Sequence, residues 1–210
     1  MTAIIILWDW DGTLVDTMPK HADLAAECIE KYLKIPREEA RKRYLETAGA
    51  PFHAQLVEIS GSEQKECADE YHSKKISKVY KNVKSFPETK IIIKALAENF
   101  AELVQVISSS TEEKLIEKWA EKTNLSKYFF RIYGYNHGRK EDHIALVRKM
   151  FPMAKIVFIS DSARDMNLNA DYKIGIAGNS EKEFFAQGAD TVFPGPISAK
   201  EVFWAICGLL

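Results

Sequence analysis

The sequence predicts an α/β fold, a parallel sheet flanked by helices, with an all-helical insert after its first strand. Three observations predict it. Short runs such as Ile4-Ile5-Ile6-Leu7-Trp8, Leu103-Val104-Gln105-Val106-Ile107 and Ile156-Val157-Phe158-Ile159 are nearly continuous in apolar residues, as strands buried on both faces are. From residue 87 onward these runs alternate with helical patterns, the mark of βαβ units. Between the first run and that alternation, no strand-like run interrupts the helical signals.

Residues 3–8 form the first predicted strand. Asp16 or Thr17 serves as N-cap, and Pro19 sits in the first turn of a helix running to about Lys34, as proline prefers. Pro36-Arg37-Glu38-Glu39 opens a charged helix, and Phe52, Leu56 and Ile59 line one face of the next. Residues 62–81 are expected to form a long polar helix with Tyr71, Ile76 and Val79 on its drier side. Thr47-Ala48-Gly49-Ala50-Pro51-Phe52-His53 separates two of these helices. Pro87 punctuates the return to the core. A helix over 88–98 precedes the strand 103–107, which ends in Ser108-Ser109-Ser110. Thr111-Glu112-Glu113-Lys114 then starts a helix whose acidic first turn suits the positive end of the macrodipole. A short strand over 129–133, a helix over 140–150 and strands over 155–160 and 172–176 follow. Val192-Phe193 adds an edge strand, and a last helix begins at about Ser198. The predicted division is an α/β core of residues 1–16 and 87–210 and a helical domain of residues 17–86. Gly134, Gly138, Gly175 and Gly178 lack nucleotide-binding spacing and are read as turn residues.

With 210 residues, 46% of them hydrophobic and 11% aromatic, the chain can bury a core. A net charge of −1 gives no electrostatic reason to expect nucleic acid or an anionic membrane as partner. Cys28, Cys67 and Cys207 are scattered, odd in number and far from histidine at metal-ligand spacing. That excludes a disulfide framework and a zinc site, and suits a reducing compartment. The N-terminal run is too short for a secretory h-region, and no stretch approaches the ~20 apolar residues of a membrane span. The expectation is a cytoplasmic protein.

Asp9 and Asp11 follow the first run; Asp161 and Asp165 follow the run at 156–159. Open α/β sheets bind ligands beyond the carboxyl ends of their strands. If these two strands are neighbours, the four carboxylates meet at one edge. Carboxylates held that closely repel, so the site calls for a cation. All-oxygen donors select magnesium over zinc. The combination predicts phosphoryl transfer.

The octapeptide Asp9-Trp10-Asp11-Gly12-Thr13-Leu14-Val15-Asp16 resembles the first motif of the haloacid dehalogenase superfamily. The similarity extends through all four family motifs, across residues 9–165. Ser108 matches the Ser/Thr position, Lys140 is the best match for the lysine with Arg139 as rival, and Ser160-Asp161-Ser162-Ala163-Arg164-Asp165 matches the Asp-x-x-x-Asp motif. Two departures stand out. Glu141 follows the lysine where proline is usual, and Ser160 replaces the commoner glycine. The helical insert resembles the cap of the phosphoglycolate phosphatase and β-phosphoglucomutase branch, and the fold implied is a Rossmann-like core with a helical cap.

The resemblance implies Asp9 as nucleophile, forming an aspartyl-phosphate, and Asp11 as general acid and base. Magnesium is then held by Asp9, the backbone carbonyl of Asp11 and Asp161, with Asp165 acting through water or orienting Lys140. Ser108 and N–H groups near Ser109 bind phosphoryl oxygens, and Lys140 supplies positive charge. His21 lies where some mutases of this branch use a histidine in proton transfer; an ordinary histidine in a helix's first turns is the competing reading. Gly49 and His53 either face substrate or belong to an interhelical turn. The expected function is a magnesium-dependent phosphatase acting on a small phosphorylated metabolite, phosphoglycolate-like or a sugar phosphate, as a monomer or homodimer. The alternatives are a β-phosphoglucomutase-like mutase and a non-catalytic phosphate-binding protein.

Overall fold

All five residues of β1 (Ile4–Trp8) are buried, because this strand occupies the middle of the sheet with a neighbour on each side. The structure, a computed structural model, describes residues 3–177 and 181–209; Gly178 lies outside them. The other strands are β2 (Leu103–Ser108), β3 (Arg131–Tyr133), β4 (Lys155–Ser160), β5 (Tyr172–Ala177) and β6 (Thr191–Pro194). They form one sheet in the order β3-β2-β1-β4-β5-β6, and every pairing is parallel. This is the doubly wound order, in which a ligand crevice opens where the strand sequence reverses direction. Here the reversal falls beside β1, which pairs with both β2 and β4; Trp8 is level with Ile107 and Ile159. The residues just past those levels are Asp9, Ser108 and Ser160.

One polar side chain within the sheet is satisfied. Gln105, buried within β2, accepts from Trp8 Nε1 at 3.1 Å and donates to the Ile93 carbonyl at 3.0 Å, so its amide carries no unpaired-burial penalty. Ile5, Leu7, Val106, Ile156 and Phe158 form one cluster with Ile144 and Val147. The latter two belong to the helix Lys140–Met150.

The chain divides into two compact units, Met1–Asp16 with Ser85–Leu210, and Thr17–Lys84. Leaving and returning strands of the first unit lie side by side, with Val15 bridged to Ser85 and the Phe86 N–H donating to the Leu14 carbonyl. The second unit holds α1 (Met18–Leu33), α2 (Arg37–Glu46), α3 (Phe52–Ser60) and α4 (Lys65–Lys75), the last running into a π-helical turn at Ile76–Tyr80. One expectation is corrected here. Tyr71 and Val79 are buried, but Ile76 is 56% exposed, because five residues on from Tyr71 it stands about 140° away around a helix of 3.6 residues per turn.

The first unit's helices are α5 (Thr89–Asn99), α6 (Glu113–Lys122), α7 (Lys140–Met150), α8 (Glu181–Ala186) and α9 (Ala199–Cys207). Helix α8 was not expected; its charged start carries no repeat, and only Phe184 of it is buried. Strand β3 is shorter than the expected 129–133, starting at Arg131 with two residues between it and a 3₁₀ turn at 126–128. Gly175 is not a turn residue. It lies within β5, where a Cβ would stand 2.2 Å from the Phe184 ring. Among the described residues, no helix is long and apolar enough to cross a membrane.

Candidate active site

Asp9 is the first residue beyond β1, and its N–H donates to the Ile159 carbonyl at 2.9 Å, fastening it to the end of β4. The chain then turns sharply. The Trp10 carbonyl accepts from Leu14 and Val15, and the Gly12 N–H donates to the Val15 carbonyl. Gly12 has φ +75°, a conformation that costs other residues about 1–2 kcal/mol. Space is the stricter demand: a Cβ on Gly12 would lie 2.0 Å from Asp161 Oδ2. Glycine is what lets the two acidic segments close on one another. Thr13 completes the join, its hydroxyl donating to Asp161 Oδ1 at 3.0 Å and accepting from the Asp161 N–H at 2.9 Å.

Lys140 opens α7, an unfavourable place for a cation on macrodipole grounds alone. The position is stabilised from outside the helix. Its ammonium donates to Asp9 Oδ2 at 2.8 Å and to Asp165 Oδ2 at 2.5 Å. Those two oxygens also receive the Ser160 hydroxyl, at 3.1 and 2.6 Å. Asp9 Oδ1 accepts from the Trp10 N–H at 2.7 Å. Asp11 turns to another element, accepting from the Thr111 hydroxyl at 2.6 Å. Arg139, the rival for the lysine position, is exposed, and its N–H donates to the Asp142 carboxylate at 2.8 Å.

Ser108 and Ser109 are buried. The Ser109 N–H donates to the Tyr133 carbonyl and its hydroxyl accepts from the Thr111 N–H. Ser108 Oγ lies 2.9 Å from His143 Nδ1, while His143 Nε2 lies 3.2 Å from the Gly134 carbonyl. A carbonyl can only accept, so Nε2 carries the proton and Nδ1 is the acceptor for the Ser108 hydroxyl. Any phosphoryl oxygen bound by Ser108 must therefore draw that proton away from His143. In the helical unit, His21 is buried with Nδ1 2.6 Å from the Tyr71 hydroxyl and Nε2 3.1 Å from the Tyr80 hydroxyl. His53 is exposed and Gly49 adopts φ +92°.

Sequence reasoning did not single out Thr13, Thr111 or His143. Thr13 sits inside the octapeptide and Thr111 directly after the three serines, so position in the motif was a usable signal for both. His143 had none, because its partner is 35 residues away.

The electrostatics show an excess of negative charge. Burial pushes the Asp9 carboxyl up to about 6, against the pull of the Lys140 ammonium. Burial and then the Asp9 charge push Asp161 up to about 8. Desolvation acts to lower Lys140, but Asp165 and Asp9 outweigh it and hold the ammonium above its usual range. One ammonium thus faces Asp9, Asp161 and Asp165, and a hard divalent cation fits the deficit and the all-oxygen donor set. Among the described residues, no cluster of three or more His, Cys, Asp or Glu side chains has a metal-holding arrangement. Asp9 and Asp161, the first acting by its charge on the second across the ends of β1 and β4, are the carboxylates that would hold that cation.

His143 makes a separate prediction. Burial lowers its imidazole to about 4, below the ~6.5 of an exposed histidine. Between those values the unfolded chain binds a proton that the folded chain does not. The stability it confers is therefore full above pH 6.5 and is lost toward pH 4, at up to about 1 kcal/mol per pH unit. Urea unfolding of wild type and His143→Leu at pH 7 and pH 5 checks this: the gap between them should narrow at pH 5. A gap independent of pH contradicts it.

A family model described as haloacid dehalogenase-like hydrolase matches residues 6–187. No curated protein matches the chain. A predicted phosphatase from Clostridium acetobutylicum superposes with a TM-score of 0.81 at 20% identity, over 99% of this chain and all (100%) of that one. A haloacid dehalogenase-like hydrolase from Streptococcus pneumoniae gives 0.78 at 19% identity, over 98% of both chains. A candidate β-phosphoglucomutase from Thermotoga maritima gives 0.67 at 16% identity, over 98% of this chain and 99% of that one. At these identities the likenesses establish the fold.

Proposed function

Because this chain belongs to the haloacid dehalogenase-like hydrolase family, we propose that it is a magnesium-dependent phosphatase hydrolysing a small phosphate monoester. The observation that carries this is the Lys140 bridge, one ammonium on both Asp9 and Asp165 at the sheet's carboxyl edge. It orients a carboxylate and offsets charge where an anionic phosphoryl group must approach. An Asp9 oxygen attacks phosphorus and the ester P–O bond breaks, its electrons leaving on the alkoxide oxygen. Asp11, held by Thr111, donates the proton that oxygen needs. Water then attacks the aspartyl-phosphate while Asp11 takes back a proton; the bond from phosphorus to Asp9 breaks, and the carboxylate is restored. Asp9, the Asp11 carbonyl and Asp161 would hold the magnesium, which would supply positive charge to the phosphoryl oxygens.

The helical unit is assigned the substrate-selecting role of a cap, and phosphoglycolate-like and sugar phosphates are the substrates to try first. The predicted phosphatase among the structural relatives supports hydrolysis. The mutase alternative draws on His21 as a proton carrier, yet both ring nitrogens of His21 are engaged by tyrosine hydroxyls, which favours the phosphatase. A protein that merely binds phosphate has no use for a buried carboxylate bridged to an ammonium. The free thiols of Cys28, Cys67 and Cys207 suit the cytoplasm, where we place the enzyme.

A panel of phosphate monoesters, with and without magnesium, tests the reading by release of inorganic phosphate. Magnesium-dependent release from at least one small ester is expected. Positional isomerisation of a sugar phosphate without release would replace the phosphatase by the mutase.

A further inference from the structure

We propose that Ser160 is a positioning residue for the reaction at Asp9, its hydroxyl pinning Asp9 and Asp165 to a common point so that one lysine serves both. The catalytic consequence rests on the phosphatase reading; the pinning does not. Ser160 ends β4, one step past the level at which Trp8 and Ile159 pair, and is fully buried. Its hydroxyl oxygen accepts from the Ser162 N–H at 3.1 Å. That contact turns the hydroxyl proton toward the remaining acceptors, Asp165 Oδ2 at 2.6 Å and Asp9 Oδ2 at 3.1 Å. The same two oxygens receive the Lys140 ammonium. Two carboxylate oxygens and two donors thus alternate around a four-cornered arrangement drawn from β1, β4, α7 and the turn after β4.

Each donor has a distinct part. Lys140 supplies charge, but its long stem leaves the carboxylates free to slide if nothing else ties them. Ser160 is anchored on the backbone of the sheet, so its hydroxyl fixes where the two oxygens meet. A hydroxyl has one proton and serves one acceptor at a time. The shorter contact places it on Asp165, within reach of Asp9. When Asp9 carries the phosphoryl group its charge is reduced, and the hydroxyl then holds Asp165, and through it Lys140, for the second half of the reaction. A glycine here would leave both oxygens to Lys140 alone.

A bland alternative is that Ser160 only fills space and satisfies the Ser162 N–H. Two substitutions in the full chain separate these. Ser160→Ala removes the hydroxyl, and Ser160→Cys keeps the volume with a weak donor. Positioning predicts that kcat falls about tenfold in both variants, the worth of one hydrogen bond to a charged group, with KM within about twofold. Circular dichroism and Tm establish that both variants fold. Wild-type kcat in both folded variants overturns the proposal. Carboxyl ¹³C resonances of labelled aspartate, assigned with Asp9→Asn and Asp165→Asn, give a readout independent of turnover. The Asp9 and Asp165 resonances should both move in Ser160→Ala. If the wild-type protein hydrolyses no phosphate ester, the phosphatase reading fails while these spectra still judge Ser160: an unmoved Asp9 resonance rejects the pinning, and a moved one supports it.

Discussion

Asp9→Asn is expected to abolish turnover, by at least about 10³-fold in kcat, while the fold survives. The amide is nearly isosteric with the carboxylate but cannot form an acyl phosphate in its place. Asp9 sits where the sheet, not the solvent, dictates geometry, since its N–H is bonded to β4. Loss of function here is therefore a loss of chemistry. The stability expectation is different. Burial raises the Asp9 carboxyl to about 6, so the folded state holds its proton to higher pH than the unfolded chain. Such a group favours folding at low pH and costs stability as pH rises past its folded value. Above pH 7, asparagine removes that cost but leaves the Trp10 N–H with a poorer acceptor and Lys140 paired with Asp165 without Asp9. These effects oppose one another, and the net change in Tm in metal-free buffer is expected to be small. Steady-state kinetics with a responsive ester and calorimetry at pH 7.5 check both halves. Most activity surviving would mean the nucleophile lies elsewhere.

Lys140→Ala carries the second large effect, on activity and stability together. Removing the ammonium leaves Asp9 and Asp165 with only the Ser160 hydroxyl between them. Breaking a buried ion pair by deleting one partner costs about 3–5 kcal/mol, because the remaining charge stays desolvated. Turnover should fall at least about 10²-fold, with no cation left to neutralise the phosphoryl group from this side. The pH dependence is diagnostic. Without Lys140, which pulls both down, Asp9 and Asp161 retain protons to still higher pH than in the wild type, while the unfolded chain releases them near pH 4. The deficit in stability against wild type should therefore grow from pH 5 to pH 8. Urea unfolding at the two pH values measures it, and an equal deficit at both would exclude the electrostatic account. Lys140→Arg is not expected to rescue: a planar fork cannot substitute for a compact ammonium between two oxygens this close.

Much of this arrangement was legible in the chain because burial on both faces leaves a plain mark. The runs ending at Trp8, Ile107 and Ile159 need no neighbour to be recognised as strands, and acidic or hydroxyl residues at their ends stand out against them. The start of α7 at Lys140 was legible for a related reason, the charged turn before a periodic helix. Ile76 was misplaced because its apolar side chain was grouped with Tyr71, although five residues of helix separate the two by about 140°. Gly175 was taken for a turn residue because its purpose, room for Phe184, lies in an element without a repeat of its own.

By itself the sequence determined the α/β class, the helical insert and the segments that carry the carboxylates, since each depends on local pattern and short-range propensity. Only the tertiary structure decided which side chains share an atom. Lys140 and Ser160 meet on one oxygen of Asp9, Thr13 grips Asp161, Thr111 holds Asp11, and His143 accepts from the Ser108 hydroxyl. These pairings follow from strand order and register, which arise when the whole sheet packs, and no spacing along the chain encodes them.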